Sequence, residues 1–124
     1  MKTLFTITAV LTGLLGVTWL LVPEAMLGQW SVKSDAVGVY MSRRYAGLFF
    51  GYATIMWLSR GAAASQARTA ILAGGMVVTG LMTAVSLYGV LAGLVGPVAW
   101  SAVVIELGLV SGFAYFFFGG GATK

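Results

Sequence analysis

Two residues stand out for chemistry, because each puts a full charge inside a long apolar run. Glu106 lies in AWSAVVIELGLVSGF and Arg44 in YMSRRYAGLFFGYATIMWLSR. A lone charge at the centre of a bilayer costs roughly 3 kcal/mol on insertion scales, and pairing lowers that penalty. Glu106 is about nine residues into the last expected helix, roughly 14 Å from its outer end at 1.5 Å per residue. If Arg60 marks the inner boundary, Arg44 falls roughly 6 Å inside the outer one. An Arg44–Glu106 ion pair in the outer half of a helix bundle is therefore expected. Such a pair has two readings: a polar clasp that fixes helix register, or the floor of a small site for a lipid headgroup, a quinone or another amphiphile. Arg43 lies about 100° round the helix from Arg44 and is expected to reach headgroup phosphates instead.

Hydroxyls supply the next candidates. Thr79, Thr83 and Ser86 share one helical stripe with Gly75, since steps of three and four residues return to the same side. In lipid such stripes mark helix packing; a hydroxyl-lined binding cleft is the alternative. Gly47 and Gly51 form a small-xxx-small pair in line with Arg44 and Ile55, a pattern that lets two backbones approach closely. Gly89 and Gly93 repeat that spacing on the third expected helix. Gly108 and Gly112 repeat it again, on a face nearly opposite Glu106, because a two-residue step turns about 200°. Either the last helix is central, or its glycine face docks another chain.

Much other chemistry lacks its residues. The 124-residue chain has no histidine, no cysteine and three acidic residues. The commonest general base, the usual haem and zinc ligands, and thiol nucleophiles are therefore missing. No cofactor and no enzymatic activity are expected. The net charge of +4 comes from basic residues scattered at segment ends, which suits membrane anchoring rather than nucleic-acid binding.

The elements that must position these residues follow from hydropathy. At 60% hydrophobic and 8% charged residues, with a mean hydropathy of +0.99, the chain cannot cover a water-facing surface. It is expected to be all-α, a single transmembrane domain over residues 1–124, with helices at about 3–22, 36–60, 67–92 and 98–118 in an up-down-up-down bundle. The first apolar run is read as a retained helix rather than a cleaved signal peptide, because it is long and Pro23-Glu24-Ala25 is a poor cleavage context. Residues 24–39 are expected to be an interfacial connector, with a substrate loop as the alternative, and Ser34 or Asp35 to cap the second helix. Gly119-Gly120-Gly121 is expected to end the last helix, and the tail Ala122–Lys124 to fray. Lys2, Arg60, Arg68 and Lys124 fall on one side with no acid, whereas Glu24 and Asp35 offset Lys33, Arg43 and Arg44 on the other. The positive-inside rule then places both termini in the cytoplasm.

The segments RRYAGLFFGYATIMW, GLMTAVSLYG and IELGL resemble a family of small bacterial four-helix integral membrane proteins, a domain of unknown function. The resemblance rests on Arg44, Gly47, Ser86 and Glu106, and implies a multi-pass protein of the bacterial cytoplasmic membrane. Family members often carry an arginine shortly before the serine, where this chain has Thr83. A fainter likeness is to the small four-helix scaffolds of sterol-synthesis complexes. Small multidrug-resistance exporters match in size, but hold their essential glutamate in the first helix, which here has no ionisable residue after Lys2. The expected function is that of a non-enzymatic accessory or scaffold subunit, packing in a larger membrane complex or homo-oligomer among membrane lipids. The alternative is a lipid- or amphiphile-binding or transport protein with its site at Arg44 and Glu106.

Overall fold

The computed structural model describes residues 1–119. Lys124, the rest of the tail and the end of the glycine run lie outside the described residues. Those described are helical and contain no strand: α1 (Lys2–Leu21), α2 (Pro23–Gln29), α3 (Ala36–Ser59), α4 (Gln66–Leu91) and α5 (Ala99–Phe118). Three of them, α1, α4 and α5, are long and apolar enough to cross a membrane. The 24-residue α3 has the length, but it carries the two arginines.

Each boundary has a local cause. α1 stops at Leu21, and Pro23 takes the first turn of α2, where its missing N–H goes unneeded. The short α2 was not expected: residues 24–39 read as a bare connector, yet Pro23–Gln29 coil. Its first turn contains Glu24, whose charge suits a helix N-terminus. The Asp35 carboxylate accepts from the Gly38 N–H at 2.6 Å and starts α3. Ser65 does the same for α4, accepting from the Arg68 N–H at 3.2 Å. α4 ends where Gly93 enters the left-handed region at φ +69°, which only glycine adopts without strain. There the Leu94 N–H donates back to the Gly89 carbonyl at 2.9 Å.

The long helices pair as two antiparallel hairpins. Along α1 and α3, Gly16 faces the Phe50 ring and Gly13 faces Ala53. Along α4 and α5, Gly75 faces Phe113 and Gly80 faces Val110. The Gly75 contact is the closest. A methyl group there would stand 2.5 Å from the ring, so the absence of a side chain is what lets the helices meet.

The two hairpins join at one end of the molecule, here termed the base, which holds Met1 and Phe118. Phe5, Ala9, Met56, Leu72 and Phe113 form the buried cluster there, drawn from all four long helices. The Phe5 and Phe113 rings lie 6.1 Å apart, a separation at which tilted aromatic rings attract. Leu4 packs against Gly112 beside them. At the far end the Gly96 N–H donates to the Trp30 carbonyl at 2.6 Å, tying the segment after α2 to the α4–α5 turn. The outward surfaces are apolar: Leu48, Val85 and Val104 are each about two-thirds exposed. A surface of that kind is stable against lipid, not water.

Candidate functional site

Glu106 is buried, and its place follows from helix phase. Ala99, Val103, Glu106 and Phe113 are the buried residues of α5 and fall on the stripe that meets α4. Ser86 of α4 faces the carboxyl group. The Oε2 atom is buried and has no hydrogen-bond partner. Glu106 is 8% exposed, so solvent does little to satisfy it.

The α4 hydroxyls continue the polar line toward the base. Thr83 Oγ1 donates to the Thr79 carbonyl and Thr79 Oγ1 to the Gly75 carbonyl, both at 2.7 Å. Both threonines are buried. Each hydroxyl spends its proton on the carbonyl one turn before, which leaves its oxygen able to accept or to coordinate. Glu106, Ser86, Thr83 and Thr79 are thus brought to one helix–helix seam.

Arg44 is not part of it. The expected Arg44–Glu106 ion pair does not form. Arg44 is exposed on α3 and donates to the Tyr40 hydroxyl at 3.5 Å, with its guanidinium 5.9 Å from that ring. The cause is helix order: α3 packs along α1, while Glu106 turns to α4. An estimate of depth along single helices could not choose the partner helix. Arg43 is exposed as well.

The glycine pairs divide. A Cβ on Gly47, Gly51 or Gly108 would meet nothing within 4 Å, so the chain itself leaves these positions uncovered. One on Gly112 would stand 2.9 Å from Leu4, and that glycine packs inside the bundle. The Gly108–Gly112 pair therefore serves two surroundings rather than one face.

A second hydroxyl ladder escaped the sequence reading. Thr8 donates to the Leu4 carbonyl at 2.9 Å and Thr12 to the Thr8 carbonyl at 2.7 Å, and both side chains are buried. Their four-residue spacing in an apolar run is the signal that singled out Thr79 and Thr83, so it was there to be read. Arg68, taken as a boundary anchor, is buried at the base and donates to the Ala62 carbonyl at 3.3 Å.

Residues 1–118 match the family described as Domain of unknown function (DUF8292). The chain belongs to that family. No curated protein and no solved structure matches the chain. The DUF8292 match runs from Met1 to Phe118 and so takes in both hairpins and the whole Glu106 seam.

Proposed function

We propose that the protein is a four-span subunit of the cytoplasmic membrane that acts by helix packing and catalyses no reaction itself. Support for four spans comes from α1, α4 and α5 and from the matching length of α3, whose arginines can reach an interface by extending along the helix. Lys2, Arg60 and Arg68 gather at the base, while Glu24 and Asp35 offset the basic residues of the far end. The positive-inside rule then favours a cytoplasmic base, with Met1 and Phe118 on that side. The Arg60 guanidinium stacks 3.8 Å from the Trp57 ring, a pairing suited to an interface.

The observation that carries the packing role is the uncovered stripe of α3. Gly47 and Gly51 are exposed and meet nothing within 4 Å, in line with Leu48 and Ile55. Small residues matter in lipid because close packing replaces the water-driven force between helices. The partner is a second copy of this chain or another membrane subunit. Gly47→Leu combined with Gly51→Leu tests it. The variant is expected to insert and keep its thermal stability, since a Cβ at either position meets no atom of its own chain within 4 Å. Its complex, read by chemical cross-linking in membranes and by native mass spectrometry, is expected to disappear. An undiminished complex would sink the reading.

One observation favours a second reading, the binding of an anionic amphiphile. Met41, Arg44, Tyr45 and Leu48 line a notch of about 440 Å³ on the same helix. A cation beside an apolar floor suits a headgroup and the first carbons of its chain. Arg44→Met should then strip co-purifying phosphatidylglycerol from the protein in native mass spectra, and retention of that lipid would count against the site.

A further inference from the structure

Among the described residues, no cation pairs with the carboxyl group of Glu106. α1 has no ionisable side chain beyond Lys2, and α5 carries no other charge among its described residues. On α3, Arg43 and Arg44 are exposed and Arg44 turns to Tyr40. On α4, Arg68 precedes Ser86 by about five turns, roughly 27 Å along the axis. Tyrosine ionises only to an anion, so the tyrosines add no compensating charge. Tyr40, Tyr45, Tyr88 and Tyr115 are exposed, and Tyr52 packs against the cluster at the base.

We propose that Glu106, with Ser86 and the hydroxyl oxygen of Thr83, forms an exchangeable site for one monovalent cation, a proton or an alkali-metal ion. Three observations converge on it. Oε2 is enclosed and lacks a partner, which in a packed interior marks a missing occupant. The neighbouring groups are hard oxygen donors, the type that binds protons and alkali ions rather than soft metals. One negative charge is neutralised by one positive charge, whereas a divalent ion would leave net charge in hydrocarbon at high cost. The site is independent of the α3 stripe, so its fate does not decide the packing role.

Dicyclohexylcarbodiimide, an apolar reagent that couples to protonated carboxyl groups, tests the proposal on the full-length protein in liposomes. Mass spectrometry is expected to find Glu106 modified in mildly acidic choline chloride, and Glu106→Gln unmodified. Labelling is expected to fall as the pH rises. Suppression by sodium or lithium at constant ionic strength assigns an alkali ion, and suppression by alkalinity alone assigns a proton. In the alkali-ion case Ser86→Ala should raise the half-protecting concentration about tenfold, the loss of roughly one ligand interaction. Labelling that ignores both pH and salt overturns the proposal, because the group is then a permanently neutral structural acid. Should the reagent fail to enter, difference infrared spectroscopy decides. A carboxylic C=O band that is absent in Glu106→Gln and responds to pH or sodium supports the site, and an unresponsive spectrum overturns it.

Discussion

At the scale of single residues, the separation of Arg44 from Glu106 changes what substitutions should do. Removing one member of a buried ion pair strands the other and costs several times more than replacing both. Here each already stands without the other, since Arg44 contacts Tyr40 and Glu106 faces Ser86. Arg44→Met and Glu106→Gln should therefore act independently on thermal stability in detergent, with the double variant matching the sum to within about 0.5 kcal/mol. A large coupling energy would show that the side chains meet in the membrane. Gly75 gives a sharper case. Gly75→Ala places a methyl group 2.5 Å from the fully buried Phe113 ring, and overpacking of that kind costs about 1–3 kcal/mol. Gly108→Ala, with open space around it, should not lower the melting temperature in the same assay, since alanine favours the helix over glycine.

At the scale of elements, the start of α3 depends on one side chain. Asp35→Ala removes the oxygen that receives the Gly38 N–H and should cost about 1 kcal/mol, with faster hydrogen exchange confined to the first turn of α3. Protection that stays unchanged would mean that packing against α1 alone sets the boundary. Helix limits of this kind were legible in the sequence to within a residue or two, because residues such as Pro23 and Asp35 act locally on the backbone, although the Ser65 cap of α4 was not read. α2 was less legible, since seven residues with one proline carry little periodicity. Neighbour choice was not legible at all. The spacing of Arg44, Gly47 and Gly51 states that they share a face, and Glu106 shares one with Val103, but nothing in a single helix says which other helix that face meets. The expected ion pair failed at that step. The hydroxyls of α4 fared better, because Thr79, Thr83 and Ser86 had only to share a stripe, and α5 follows α4 through a short turn.

At the scale of the whole molecule, two hairpins meet through a small aromatic cluster at the base. Phe5 comes from the first hairpin and Phe113 from the second, and both are fully buried. Their union should be separable from the integrity of either half. If the chain is cut between Gly61 and Ser65 and the halves are co-expressed, they should co-purify. Phe113→Ala should weaken that association by about 3–5 kcal/mol, the cost of a large cavity, while each half still inserts. Halves that fail to associate even with Phe113 intact would mean that the connection through residues 61–65 holds the molecule together.

The pairing of α1 with α3 and of α4 with α5 has a consequence for how the protein is made. α1 finds its main partner in α3 and α4 finds its own in α5, in each case the next long helix to leave the ribosome, so no segment waits for a distant one. The first pair is complete once Arg60 has emerged, before α4 has left the ribosome. Contacts close in sequence form quickly, and units that fold during synthesis form in order from the N-terminus. The second pair then arrives as a finished object, and its docking at Phe5 is the one late step. A translation pause placed after the α3–α4 turn should therefore do little harm, whereas a pause within α5 would leave the Gly75 face of α4 open to other membrane chains.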